Sequence, residues 1–182
     1  SQIEIDLIAQ WIDEGALETP IEIFQPQSTQ ELETAVNLWI SDYTLALSIY
    51  GDINSWDVSL IWDMSYLFKD ATDFNDDISN WDVSNVTLMY YMFHNATSFN
   101  QDLSTWDVSN VERMYGMFWG ASTFNRDIST WDVSSLAPDY TGYGGARGMF
   151  RNASSFNQDL SNWNLSNAKY FTIMFEGATS FN

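Results

Sequence analysis

Tryptophan recurs along this chain at an almost constant interval. Trp56, Trp81, Trp106 and Trp131 are spaced by 25 residues each, and Trp163 follows after 32. Self-similarity at a period of 20 to 50 residues is typical of repeat arrays, in which each unit buries its apolar face against its neighbours. The spacing therefore predicts a stack of similar units rather than one conventional globular core.

Other positions keep the same phase, and we number them from the tryptophan, which is position 0. Val or Leu stands at +2, Ser at +3, Leu or Met at +11, Phe at +12, Ala at +15 and Phe-Asn at +18 and +19. The fourth unit stays in phase only if seven residues are inserted near 137–147. Five units that agree at so many positions indicate a repeat array over residues 51–182.

Within one unit the apolar residues have two periods. Alternation in "LSTWDVSNV" predicts a short strand, and the three- and four-residue spacing that follows predicts a helix. The residues expected to end that helix are of the types that adopt the left-handed conformation. The helical stripe of the third unit is Val111, Met114, Met117, Phe118 and Ala121, and the expected helix ends are Asp70, Asn95, Gly120, Asn152 and Gly177.

The first 50 residues lie outside the repeats. Ser28 and Glu31 form a capping-box pattern, which predicts a helix over about residues 29–40. We interpret residues 1–50 as a helical cap on the first repeat, because the end of such an array exposes its core. Residues 1–20, which include the amphipathic "IDLIAQWIDEGA", are interpreted as the tail of an upstream module.

Composition excludes several classes of function. The net charge is −19, with 9 acidic and no basic residues in 1–50 and with 16 acidic and 6 basic residues in 51–182. So acidic a chain is not expected to bind nucleic acid. No apolar run reaches the roughly 18 residues of a membrane span, and the absence of cysteine excludes disulfides and thiolate sites.

The aspartate that follows the tryptophan in each of the first four repeats is the first candidate site. In stacked units about 4.8 Å apart these carboxylates would repel one another. One interpretation is that each accepts hydrogen bonds from nearby backbone N–H groups or from the Ser two residues on; the alternative is that Ca²⁺ bridges neighbouring carboxylates. No other cofactor is predicted. The candidate metal ligands are Asp57, Asp82, Asp107 and Asp132, and a second row in the return turns is Asp52, Asp77, Asp102, Asp127 and Asp159.

Positions that vary between units are the second candidate, because exposed aromatic residues are typical of contact surfaces. The alternative is partial burial between neighbouring repeats. His94 stands at the variable position +13 and is interpreted as solvated, and the Gly-rich insertion is interpreted as a recognition loop or as a tolerated insertion without a role. The candidate ligand-binding residues are Trp62, Tyr90, Tyr115, Trp119, Tyr140, Tyr143 and Arg147.

The unit "FNQDLSTWDVSNVERMYGMFWGA" resembles the 25-residue repeat of the BspA-like surface-protein family, which also occurs in Mycoplasma-type lipoproteins. The resemblance covers about residues 51–182. The sequence departs from the family pattern at Asn164 and in the insertion near 137–147. It implies an α/β solenoid similar to leucine-rich repeats: a right-handed coil of about five repeats, each with a short parallel strand and a helix. It also implies a cell-surface or extracellular location and a role in adhesion or protein binding.

The leading functional hypothesis is a non-catalytic binding or adhesion module for a protein or glycan. The alternative is a structural repeat that assembles end to end through an uncapped C-terminal coil. A third hypothesis is ice or ordered-water binding by a Thr/Ser row at +16. An enzyme is not expected, because Ser and Asp recur in every repeat and His94 is the only histidine. The +16 row is Thr72, Thr97, Ser122, Ser154 and Thr179.

Overall fold

The computed structural model describes residues 23–138, 145–168 and 171–182. The predictions made for residues 1–20, for Tyr140 and for Tyr143 lie outside these ranges.

Two helices precede the repeats. Helix α1 spans Thr29–Ser41, and helix α2 spans Tyr43–Tyr50. The side chain of Ser28 accepts a hydrogen bond from the Glu31 backbone N–H, and the Glu31 carboxylate accepts one from the Gln27 N–H at 2.8 Å. The helix predicted from the capping box is confirmed. A short 3-10 turn, Ile53–Ser55, then leads into the first repeat.

The predicted α/β solenoid of leucine-rich-repeat type is wrong. In the described part of the repeats there is no α-helix and no strand of a sheet. The only β-pairing between the described units consists of isolated parallel bridges, such as Leu88 with Arg113 and Arg113 with Gly145. Each unit is instead a succession of turns. The helix predicted over residues 111–121 is replaced by turns as well.

The backbone hydrogen bonds of the third repeat explain why no helix forms. The N–H groups of Met117 and Trp119 donate to carbonyls three residues earlier, at 3.1 and 3.0 Å. The intervening N–H group of Phe118 donates to the Met149 carbonyl of the next repeat at 2.9 Å. A helix would need every N–H group for bonds within its own segment. Because alternate amides bond to the neighbouring repeat, the chain forms turns that stack.

Left-handed residues make these turns possible. A type II turn requires a positive φ at its third residue, and the structure has positive φ at +10 and +14 in all five repeats. The residue types expected at +14 to adopt this conformation do so, although they close turns rather than helices. The +14 residues are Asp70 (61°), Asn95 (56°), Gly120 (76°), Asn152 (57°) and Gly177 (74°).

The core consists of stacked aromatic columns. Phe118 at +12 lies parallel to Phe93 and Phe150, with centroids 5.5 and 5.7 Å away, and contacts Phe124 of its own repeat at 4.0 Å. Tryptophan adds a polar anchor, since the Trp131 indole N–H donates to the Leu103 carbonyl at 2.9 Å. Buried indole N–H groups need such a partner. Each repeat is thus joined to the next by rings and by hydrogen bonds.

The two helices pack on the first repeat. Trp39 of α1 contacts Trp56 edge to face at 5.8 Å, and its indole N–H donates to Asp76 Oδ2 at 2.8 Å. The Thr29 hydroxyl donates to the Asp63 carbonyl at 3.0 Å. The division into a cap over residues 1–50 and repeats over 51–182 stays a prediction. Neither described helix has the length and apolar character needed to cross a membrane.

Candidate functional site: an aromatic strip

The +10 position places large side chains on left-handed backbone. For L-residues this conformation costs about 1–2 kcal/mol, whereas glycine adopts it freely. Two repeats carry glycine at +10, two carry tyrosine and one carries isoleucine. The φ values are 66° for Tyr66, 50° for Tyr91, 59° for Gly116, 61° for Gly148 and 58° for Ile173.

The two tyrosines belong to a continuous row of rings, which we name the aromatic strip and define as Tyr66, Tyr91, His94, Tyr115 and Trp119. Tyr66 stacks on Tyr91, with ring centroids 5.6 Å apart. Tyr91 contacts Tyr115 at 4.9 Å, His94 at 5.0 Å and Trp119 at 6.0 Å. Trp119 in turn lies 5.5 Å from His94. The strip therefore extends over the first three repeats.

Glycine in the third repeat gives the strip its close packing. A Cβ added at Gly116 would lie 2.6 Å from Tyr91 Cε1, so the Tyr91 ring occupies the space that a side chain would need. At this register, the glycine of the third repeat therefore leaves room for the tyrosine ring of the second repeat. Comparison of the five residues at +10 could have revealed this pattern in the sequence.

Cationic side chains border the C-terminal end of the strip. The Arg151 guanidinium carbon lies 4.4 Å from the Trp119 ring centroid, and the Arg147 carbon lies 5.8 Å from the Tyr115 centroid. Arg151 also pairs with the Glu176 carboxylate at 3.2 Å. Cation–π contacts of this kind favour fixed ring positions.

The sequence identified part of this strip. The structure brings Tyr115, Trp119 and Arg147 together, but Tyr115 is only 8% exposed and packs largely inside the repeats. Tyr90 is partly buried, and its hydroxyl accepts a hydrogen bond from Arg113 at 2.9 Å. Trp62 is 58% exposed and stands apart from the ring contacts of the strip.

Two residues that the sequence analysis missed provide exposed or half-exposed rings. Tyr66 is 53% exposed, and Tyr91 is half-buried at the centre of the strip. Both stand at +10, where the residue type differs between repeats.

His94 is not the solvated residue that the sequence predicted. Its side chain is 18% exposed and lies between Tyr91 and Trp119, and its Nδ1 is 3.7 Å from Asp70 Oδ1. Burial lowers the pKa of His94 below its ordinary value of 6.5, and the nearby Asp70 carboxylate partly offsets that effect. The imidazole is therefore held mainly in its neutral form at neutral pH.

The row of aspartates after the tryptophans forms turns with the backbone. Asp107 Oδ1 accepts the Ser109 N–H at 3.0 Å, and Asp132 accepts the Ser134 N–H at 3.0 Å. Asn164, which replaces aspartate in the fifth repeat, accepts the Ser166 N–H at 3.2 Å. Hydrogen bonds from the serine hydroxyl and N–H lower the pKa of Asp107 and Asp132 below 3.8. The first two members, Asp57 and Asp82, accept the N–H groups of Ser59 and Ser84 at 3.1 and 3.0 Å.

The same turn occurs in the return row. Asp102 Oδ1 accepts the Ser104 N–H, and Asp127 accepts the Ser129 N–H, both at 2.9 Å. Within the described ranges no group of three or more His, Asp or Glu side chains is placed to hold a metal ion. Ca²⁺ bridging between Asp57, Asp82, Asp107 and Asp132 stays a prediction without a formed cluster to support it.

Comparisons with known proteins identify one family. Residues 37–147 and 145–182 match the family described as "Mycoplasma protein of unknown function, DUF285". No curated protein matches the chain, and no solved structure does either. The Mycoplasma-type repeat is confirmed, whereas the more specific BspA-like leucine-rich-repeat assignment is not supported by this match. Since the match covers well over half of the sequence, the chain belongs to this Mycoplasma repeat family.

Proposed function

We propose that the chain is a non-catalytic binding module that contacts a protein or glycan through the aromatic strip. The observation that supports the proposal is the pair of tyrosines on left-handed backbone, Tyr66 and Tyr91, at a register where Gly116 and Gly148 avoid the conformational cost. Strained residues of this kind concentrate at functional sites. The resemblance of residues 99–121 to BspA-like surface repeats supports an extracellular or cell-surface setting within the same proposal.

The chemistry of the strip favours neutral ligands or ligands with basic groups. Rigid rings supply contact area at a low entropic cost. Asp70 lies beside His94, Arg151 at the end of the strip is paired with Glu176, and the whole chain has a net charge of −19, so acidic glycans and acidic proteins are disfavoured. Neutral saccharides and neutral or basic protein surfaces remain as ligands.

The ice-binding hypothesis receives less support from the geometry. The Thr97 hydroxyl donates to the Thr72 carbonyl at 3.2 Å, and the Ser122 hydroxyl donates to the Thr97 carbonyl at 3.4 Å. Hydroxyl hydrogens that are used between repeats cannot order water at the surface. A thermal-hysteresis measurement remains the direct test of that hypothesis.

The binding proposal is tested with a double variant, Tyr66→Gly/Tyr91→Gly. Glycine occurs at the same register in two other repeats, so the backbone should tolerate it while both rings are removed. The purified wild type is applied to a printed array of neutral glycans and to a set of immobilised extracellular proteins. We expect saturable binding to at least one probe, weakened about tenfold or more in the double variant.

The control is Leu45→Ala, which removes an exposed apolar side chain from α2, outside the strip. Thermal melting verifies that each variant folds. Binding that is equally strong in the wild type and the double variant, or saturable binding to none of the probes, would refute the proposal.

A further inference from the structure

A cleft separate from the aromatic strip lies where the two helices meet the first repeat. It has a volume of about 490 Å³ and runs between the end of α1, the start of α2 and residues 70–76. A neighbouring depression of about 240 Å³ shares Trp39, Tyr43 and Asp76 with it. The Tyr43 side chain thus borders both cavities.

The rings of the cleft are fixed by the fold. Trp39 is buried, and its indole N–H is bound to Asp76 at 2.8 Å. Tyr43 stands edge to face against Trp39, with centroids 4.8 Å apart, yet Tyr43 is 52% exposed. Ile40 and Phe74 complete the apolar lining. The cleft therefore offers an oriented and accessible tyrosine ring above a rigid base.

Charge determines which ligand suits these rings. Asp70, Asp73 and Asp76 line the cleft, and Asp52 and Asp77 line the neighbouring depression. No basic side chain is among the residues that line either cavity, and the nearest described lysine, Lys69, pairs with Asp70 at 3.5 Å. Aromatic rings together with carboxylates are complementary to a cation that carries an apolar stem, as lysine and arginine side chains do.

We propose that this cleft docks a basic peptide segment of a partner protein, with a lysine or arginine side chain over Tyr43 and beside Asp73 and Asp76. An extended segment suits the geometry better than a small cation, because two neighbouring cavities share Tyr43 in their lining. This site is additional to the aromatic strip and does not depend on the proposed role of the strip.

The test uses a fluorescein-labelled peptide of alternating arginine and glycine, titrated with the whole chain at near-physiological salt and followed by fluorescence anisotropy. Screening at that salt suppresses long-range attraction. Two cleft variants are compared. Tyr43→Leu keeps an apolar contact to Trp39 but lacks the aromatic quadrupole, and Asp73→Asn/Asp76→Asn removes two charges. We expect each of them to weaken binding about tenfold.

The matched control is Asp107→Asn/Asp132→Asn, which removes the same two charges from the third and fourth repeats. Asn164 shows that asparagine retains the turn at this register, so the control should fold. We expect a change of less than about twofold for this control, because its charges lie outside the cleft.

Two results would overturn the proposal. Equal weakening in the cleft variant Asp73→Asn/Asp76→Asn and in the control pair would show diffuse attraction to an acidic protein. Unchanged affinity in Tyr43→Leu would remove the role of the ring.

Discussion

At the scale of single residues, left-handed backbone controls how neighbouring repeats fit. At +14, Asn95 and Gly120 show the fit directly: a Cβ on Gly120 would collide with the Asn95 side chain. That asparagine donates in turn to Asp70 Oδ1 at 2.8 Å. A preference for Asn, Asp or Gly can be read from the sequence. The collision depends on the distance between repeats, which the sequence does not contain.

Gly116→Ala tests this fit at +10. The new Cβ would clash with the Tyr91 ring, and alanine would also be strained by the positive φ at this position. We expect a loss of about 2–4 kcal/mol in the free energy of unfolding, measured by urea denaturation.

Gly148→Ala is the matched control, because Gly148 occupies the same register and has a φ of 61°. An added Cβ there would meet the Ile173 and Trp119 side chains only at 3.7 Å, an ordinary contact distance. It should lose only the conformational term, about 1–2 kcal/mol. Equal losses in the two variants would contradict the proposed contact between Tyr91 and Gly116.

His94 should make stability depend on pH. Burial lowers the pKa of His94 in the folded state below 6.5, its ordinary value, so the unfolded state binds the proton more readily. The stabilising contribution is complete above about pH 6.5 and is lost as the pH falls through the lower, folded pKa. We expect the melting temperature of the wild type to decrease over this interval relative to that of His94→Gln.

The difference between the two proteins is the informative quantity, because every carboxylate titrates in both of them. Melting curves recorded in buffers of constant ionic strength between about pH 7.5 and pH 5 measure it. Parallel pH profiles for the two proteins would show that His94 is solvated, as the sequence had indicated.

At the scale of the element, one apolar pattern allows two structures. Val111, Met114 and Met117 are spaced by three residues, which fits a helix and fits equally a series of three-residue turns. All three are fully buried in the turns. Sequence reasoning predicted the burial correctly and the backbone incorrectly, because hydrogen bonds between repeats compete with those within a helix and periodicity does not distinguish the two.

The aromatic columns should carry much of the stability of the array. Phe118 is fully buried and contacts rings of its own repeat and of both neighbours. Phe118→Ala should cost about 3–5 kcal/mol in the free energy of unfolding. Phe181→Ala should cost roughly half as much, because Phe181 is partly exposed and its ring buries less apolar surface on folding.

Guanidinium denaturation of both phenylalanine variants measures the difference. Each repeat in an array contacts only its neighbours, so a central truncation disturbs two interfaces. A larger loss for Phe181→Ala than for Phe118→Ala would argue against the continuous column.

At the scale of the whole molecule, the net charge of −19 opposes folding through self-repulsion. Added sodium chloride should therefore raise the melting temperature. Ca²⁺ at millimolar concentration should raise it further than sodium chloride of matched ionic strength only if the predicted bridging of Asp57, Asp82, Asp107 and Asp132 takes place. Calorimetric titration with Ca²⁺, followed by melting in chelator, separates the two effects. Identical curves at matched ionic strength would exclude the metal.

The strip and the cleft differ in how visible they are in the sequence. Tyr66 and Tyr91 share a register with glycines, so alignment of the repeats contains a signal for the strip. The cleft brings Tyr43 of α2 near Asp73 and Asp76 of the first repeat, which belong to segments without a common period. No spacing rule connects them, and only the packing of the helices on the repeats places them together.

The sequence by itself determined the repeat, its phase, the buried apolar positions, the capped helix α1 and the left-handed residues at +14. These features depend on local preferences and on the apolar pattern, which each unit carries within its own 25 residues. Only the tertiary structure decided that the units are turns and not strands with helices, that His94 is covered, and that the rings of Tyr66 and Tyr91 are joined to Trp119. The physical reason is that a backbone N–H group can bond within its unit or to the next, and the stacking of the units selects between them.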